Sequence, residues 1–192
     1  MNYPNNIKKD NYKINYGNRG MCLENDINDT NEYYLQQDIA VIHKKPTPIT
    51  IVSVDYKSRK DAVIKEAYFK TPSTTDYNGI YKGKYIDFEA KETKNKTGFP
   101  LINIHAHQLK HLEKIINCGG IAFLIIRFTT YNETYLIDAT KFLNYLTIEK
   151  KKIIPIKFFR ENGHILKEKY IPRLDYLSII DKIYLGGNKN EI

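Results

Sequence analysis

The run Gly119 to Phe128 constrains the fold more than any other segment of this chain. It is too short to cross a bilayer as a helix. With β-branched and aromatic residues crowded between two glycines and Phe128, it reads as a buried central strand. A strand buried on both faces needs other strands beside it and cover on each face, and with the helical and strand patterns that follow an α/β fold is expected.

The covering helices are marked by apolar spacing. Leu23, Ile27, Thr30 and Tyr34 form one stripe, with Glu24 and Asn31 at its edge, and Leu177, Ile180 and Tyr184 form another within Asp175 to Tyr184. A third helix is expected over about His105 to Asn117, its inward face carrying Ile104, Gln108, Leu112 and Ile115. Gln108 is the anomaly on that face. It needs a partner such as a metal-bound water, a lysine or a phosphate, unless it sits half-exposed at the helix start. His107 and His111 have helical i, i+4 spacing but lack an HExxH context, and are expected at the surface.

Short strands fill the remainder. Ala40 to Lys44 ends at the Pro46 and Pro48 breaks, and Gly120 to Phe128 is followed by Thr134 to Asp138, then a short helix from Thr140 and an irregular basic stretch. Ile49 to Tyr56 and Ala62 to Phe69 form a hairpin whose tip is Lys57-Ser58-Arg59-Lys60-Asp61. Lys57, Arg59 and Lys60 at that tip suit contact with nucleic-acid phosphates, or else make a plain solvated turn. Residues 1–18 are expected to be a flexible basic arm, residues 19–187 one domain, and residues 188–192 a tail.

The formal charge of +8 favours a polyanionic partner, and residues 141–173 alone hold nine Lys or Arg against three Glu. Cys22 and Cys118 form neither a disulfide framework nor a CxxC pair, so buried thiols in a reducing cytoplasmic setting are expected. No apolar leader opens the chain and no membrane association is expected.

The chemistry-bearing pattern is Thr74-Thr75-Asp76 followed by Glu89-Ala90-Lys91. If Lys82-Gly83 is a two-residue hairpin turn, Tyr81 faces Lys84, Asp76 lies across from Glu89, and Thr74 lies across from Lys91. Thr74 and Asp76 then share a face with Tyr85, Asp87, Glu89 and Lys91, while Ile86, Phe88 and Ala90 turn into the core. Facing carboxylates repel unless a cation lies between them, and oxygen ligands suit Mg2+ or Mn2+. Asn78-Gly79 is the competing turn; it is read here as a bulge or bend within the first strand. Taken alone, Glu-x-Lys on a half-exposed strand is commonplace, and Glu24 is equally a solvent-facing acid or a residue looking toward the site.

Asp76 with Glu89-Ala90-Lys91 resembles the Asp...Glu-x-Lys signature of restriction-endonuclease-like nucleases, with Thr75 where many members have proline. The strings His43-Lys44-Lys45-Pro46-Thr47-Pro48, Ala62 to Phe69, Ser73 to Gly79 and Ile86 to Thr93 resemble the RecU family of Holliday junction resolvases, over about Asn18 to Tyr184. The resemblance implies a mixed central sheet flanked by helices with a protruding β-hairpin stalk, and a homodimer cutting four-way DNA junctions by paired nicks. It further implies Thr74, Asp76, Glu89 and Gln108 at a Mg2+ site where Mn2+ can substitute, Lys91 as catalytic lysine and the stalk at the junction centre; Glu24, from the helix edge, is expected in support, and Arg19 near the helix start is available to touch DNA. Recombinase or branch-migration proteins are the protein partners it suggests. A duplex-cutting nuclease, a non-catalytic DNA-binding architectural protein and a partner-binding scaffold are the rival readings.

Overall fold

Successive side chains of the strand Ile121–Phe128 point to opposite faces, and every one of them is buried. Phe123 and Ile125 enter one core; Ala122, Leu124, Ile126 and Phe128 enter another. The structure, a computed structural model, describes residues 22–56, 58, 60–70 and 74–186. In chain order its elements are α1 (Leu23–Gln36), β1 (Val41–Lys44), β2 (Ile49–Asp55), β3 (Val63–Phe69), β4 (Tyr77–Tyr81), β5 (Lys84–Thr93), β6 (Gly98–Pro100), a 3-10 turn (Leu101–Asn103), α2 (Ala106–Asn117), β7 (Ile121–Phe128), β8 (Glu133–Asp138), α3 (Ala139–Ile148), β9 (Ile153–Pro155), α4 (Ile156–Asn162), β10 (His164–Ile165) and α5 (Leu177–Tyr184).

The main sheet runs β1-β4-β5-β7-β8-β10. Only β5 and β7 are parallel in it. A parallel pair needs a crossover, and α2 lies on that crossover, which is why this helix covers the face of β5 carrying Asp87 and Glu89. Leu23 and Ile27 of α1 and Leu177 and Ile180 of α5 cover the opposite face. Phe142 of α3 and Phe159 of α4 join Leu112 of α2 in the second core. The central mixed sheet with helices on both faces is the architecture expected from the sequence.

Register is fixed by an aromatic stack that crosses three strands. Tyr77 of β4, Phe88 of β5 and Phe123 of β7 stack with ring centroids 4.8 and 4.6 Å apart. A one-residue slip would turn Phe88 out of this core and Glu89 into it, so packing and site geometry share one register. Lys82 and Gly83 both have positive φ, 47° and 73°, as a two-residue primed turn requires, and Tyr81 pairs with Lys84.

Four local expectations are corrected. Asn78-Gly79 is regular strand, not a bulge: it pairs in unbroken register with Asp87 and Ile86, and a Cβ on Gly79 would lie 2.1 Å from the Val41 carbonyl oxygen. The glycine there admits β1, rather than bending β4. Both cysteines are exposed, because Cys22 precedes α1 and Cys118 follows α2, at helix ends instead of on apolar stripes. The stretch taken as irregular contains β9 and α4, with Phe158 and Phe159 buried while Lys157 and Arg160 face outward. His107 and His111 are both half-buried, His111 against Asp87 and His107 with its Nε2 shielded from solvent, rather than lying free on the surface. Residues 1–18, Arg19, Lys57, Arg59 and residues 188–192 lie outside the described residues.

β2 and β3 form a separate two-stranded sheet. Ile51, Val52, Val54, Val63, Ile64, Tyr68 and Phe69 are all exposed on it, Phe69 at 82%. Among the described residues, no helix is long and apolar enough to cross a membrane.

Candidate active site

β4 ends its pairing with β5 at Tyr77 and Phe88, so Thr74, Thr75 and Asp76 stand just outside the ladder. The expected pairing of Thr74 with Lys91 is therefore absent. The chain is held on its other side instead, where the Lys45 N–H donates to the Asp76 carbonyl at 2.8 Å. Asp76 still reaches the site across from Glu89. Its carboxylate lies 3.5 Å from Lys91 Nζ and acts on Glu89 both as a nearby charge and as a hydrogen-bonding neighbour.

Glu89 is fully buried, and Lys91 Nζ bonds its Oε1. That same oxygen accepts a 2.7 Å hydrogen bond from Gln108 Nε2. The other oxygen, Oε2, is buried and meets no hydrogen-bond donor among the described residues. An orphaned carboxylate oxygen facing a second carboxylate is costly in a low-dielectric setting. The arrangement fits a divalent cation, which would satisfy the free oxygen and remove the repulsion. Among the described residues no three or more His, Cys, Asp or Glu are grouped so as to hold a metal ion, so this would be a two-carboxylate site completed by other oxygens.

Gln108 has both ends engaged. Its Oε1 accepts from the His105 N–H at 3.0 Å, closing a capping box at the start of α2, while its amide nitrogen orients Glu89. This accounts for a polar residue on the buried stripe. Thr74 is half-buried beside Asp76 and lines a polar cleft of about 280 Å³ together with Lys44, Lys45 and Glu24. Glu24 pairs with Lys44 and lines the same cleft as Asp76. Lys60 is exposed at the tip of the β2–β3 hairpin.

Without a cation, burial pushes the Glu89 carboxyl up to about 8, and Asp76 adds to the shift; Lys91 opposes them and loses. Burial works to lower the Lys91 pKa, but Glu89 and Asp76 outweigh it, and the ammonium is held above its usual range. The folded state thus binds a proton at Glu89 that the unfolded chain has already released, so this group's contribution to stability falls as pH rises from about 4.5 to about 8. Metal-free protein is expected to lose melting temperature across that window. The Glu89→Gln variant should lose less, and Mg2+ should reverse the trend in the parent alone; scanning calorimetry from pH 5 to pH 9 reads all three.

Sequence reasoning placed Thr75 in the motif and Asp87 on the face of Glu89 but gave neither a role, and it did not bring Lys45 or His111 to this neighbourhood. Asp87 is fully buried and contacts Lys45 at 2.7 Å, Tyr85 at 3.0 Å and His111 at 3.2 Å. Strand alternation already put Asp87 on the face of Glu89; that α2 covers it from Gln108 to His111, one helical turn, depends on the crossover.

Residues 18–182 match the family model described as RecU, Recombination protein U. The Holliday junction resolvase RecU of Oceanobacillus iheyensis is 54% identical over 195 residues, covering 96% of this chain and 100% of that protein. Its counterpart from Bacillus cytotoxicus is 58% identical over 177 residues, covering 91% and 88%. The solved structure of Archaeoglobus fulgidus Hjc, a Holliday junction resolvase, is a loose likeness at TM-score 0.41 and 11% identity, covering 68% of this chain and 86% of that one.

Proposed function

This chain belongs to the RecU family, and we propose that it is a Mg2+-dependent endodeoxyribonuclease that resolves four-way DNA junctions by paired nicks. The observation that carries the reading is the buried Glu89 carboxylate, with one oxygen unsatisfied, facing Asp76 and flanked by Lys91.

Asp76 and Glu89 would hold the cation, Mg2+ or in its place Mn2+, with the Thr74 main chain or hydroxyl available as a further oxygen. Gln108 serves the site through Glu89, fixing the carboxylate plane from the start of α2. When bound, the ion supplies charge stabilisation at the phosphate and acidity for the hydrolytic water. Lys91 stays protonated between the two carboxylates and, one quarter exposed, presents its ammonium to the side from which a phosphodiester arrives. Charge developing on the phosphate oxygens would then meet a donor already in place. In-line displacement of the 3′ oxygen leaves a 5′ phosphate and a 3′ hydroxyl.

Paired nicks need two sites in a fixed relation, and a homodimer provides them. The β2–β3 sheet supports that assembly, because among the described residues it is a two-stranded sheet with exposed apolar side chains on both strands, marginal in water by itself, and a second copy would cover it. Lys60 with Arg59 and Lys57 would place positive charge at the branch point, and Arg19 near the start of α1 would meet a DNA arm. Glu24 supports the cleft through Lys44. Recombinase or branch-migration proteins are the expected partners in the same DNA transaction.

The test compares a mobile four-way junction with linear duplex of the same sequence, each in Mg2+ and in chelator. Symmetric, ligatable nicks in the junction alone, and only with metal, are expected. Comparable cutting of the duplex would make the chain a general nuclease. A junction bound but uncut in Mg2+ and in Mn2+ would make it an architectural binder.

A further inference from the structure

Asp76 is a poor candidate for holding itself in place. It precedes β4, its side chain is about one third exposed, and it is met by the 3.5 Å contact from Lys91 and by the neighbouring Glu89 carboxyl, which repels it. Residue 75 immediately before it is, by contrast, among the most constrained polar groups in the protein. Thr75 is 3% exposed, and its hydroxyl donates to Asp87 Oδ1 while accepting a 2.9 Å hydrogen bond from Lys45 Nζ. Lys45 Nζ continues to Asp87 Oδ2 at 2.7 Å, closing a three-membered ring of side chains. The Lys45 N–H meanwhile holds the Asp76 carbonyl, so one residue grips this segment by backbone and by side chain together.

The ring's anchor is on the strand that carries the other carboxylate. Asp87 stands two residues before Glu89 on β5, and Tyr85 and His111 join Lys45 on its Oδ2 while Thr75 holds Oδ1. Neighbouring side chains of an extended segment point in opposed directions, so tying the Thr75 hydroxyl down onto β5 sets the direction in which Asp76 leaves the chain. A fully buried aspartate bonded by a lysine, two hydroxyls and an imidazole is rigid, because each bond helps satisfy a carboxylate that water does not reach.

The geometry points to Lys45, Thr75 and Asp87 as positioning residues that aim the Asp76 carboxylate at Glu89 without themselves touching metal or DNA. This rests on the metal-site reading given above. It adds that the affinity of the site for its cation is set by a hydroxyl on the residue before the ligand. Partners of this kind behind a metal ligand are worth roughly 10- to 100-fold in metal affinity.

Thr75→Val removes the hydroxyl at constant shape and leaves the Lys45–Asp87 ion pair in place; Thr75→Ser restores the hydroxyl. Binding of Mn2+ alone to the full-length protein, followed by electron paramagnetic resonance, is the readout, with melting temperature measured in parallel. Thr75→Val is expected to weaken Mn2+ by roughly 10-fold or more and Thr75→Ser to return it to within about twofold of the parent. Half-maximal cleavage should shift to higher metal by the same factor, and the rate at saturating metal should change much less. Thr75→Val binding Mn2+ as the parent does would overturn the proposal. So would loss of fold in both Thr75→Val and Thr75→Ala with Thr75→Ser folded, since the hydroxyl would then serve stability. Asp76→Asn separates the two readings: if it leaves Mn2+ binding unchanged, the metal site itself is wrong, whereas loss in Asp76→Asn without loss in Thr75→Val refutes the positioning role alone.

Discussion

Lys91→Ala is expected to slow single-turnover junction cleavage by about 100-fold or more at saturating Mg2+ while leaving junction affinity nearly intact, because transition-state charge loses a donor that needs no reorganisation. The choice of saturating metal follows from the geometry. Lys91 bonds Glu89 and lies 3.5 Å from Asp76, so its removal leaves two facing carboxylates with no cation beside them. Glu89 would then hold its proton more tightly, and the metal would have to displace it. A variant assayed at low Mg2+ or low pH would mix that binding loss with the catalytic one. Rate constants from a metal titration at about pH 8.5 separate them, and filter binding in Ca2+ reports junction affinity. Parallel losses in affinity and rate would identify Lys91 as a phosphate anchor.

The parts of this protein legible in its sequence are those fixed by local rules. The buried strand at Ile121–Phe128 follows from apolar content, and the Asp76/Glu89 proximity follows from one turn, Lys82-Gly83, plus strand alternation. Gln108 was legible as a polar residue on an apolar stripe, though its double engagement, with Glu89 and with the His105 N–H, needs the helix start to be placed in space. What stayed hidden is long-range. Nothing near Lys45 in the chain marks it as the partner of Thr75 and Asp87, thirty and forty-two residues away. Gly79 misled for a related reason: Asn-Gly signals a turn by its own chemistry, and only the approach of β1 shows that the glycine is there to leave room. The basic run around Lys150 to Arg160 hid a helix because Lys157 and Arg160 are on the solvent face of α4, whose inner face is Phe158 and Phe159.

Replacing residues 57–61 by a two-residue Asn-Gly turn, with β2 and β3 preserved, is expected to abolish the preference for a four-way junction over linear duplex. The nuclease site handles one strand, and nothing about a phosphodiester held near Asp76, Glu89 and Lys91 distinguishes a branch from a straight helix. An element outside that site must sense the branch. The β2–β3 hairpin is suited to it by its separation from the main sheet and by the charge at its tip, where Ser58 and Asp61 close the turn through a 3.1 Å backbone hydrogen bond and a side-chain contact. Lys57, Arg59 and Lys60 contribute three cations, so the deletion should also flatten the salt dependence of junction binding by up to about three units of log-log slope. Mn2+ binding should match the parent's, since Thr74 to Asp76 and β5 are untouched, and the dimer should survive, since the exposed apolar residues proposed to form it lie along the strands rather than the tip. A tip-deleted protein that is dimeric, binds Mn2+ and still discriminates the junction as the parent does would remove the stalk from the argument. Selectivity would then have to reside in the flat basic surfaces of residues 150–173, where charge is spread along α4 and the loops around it instead of concentrated at one point.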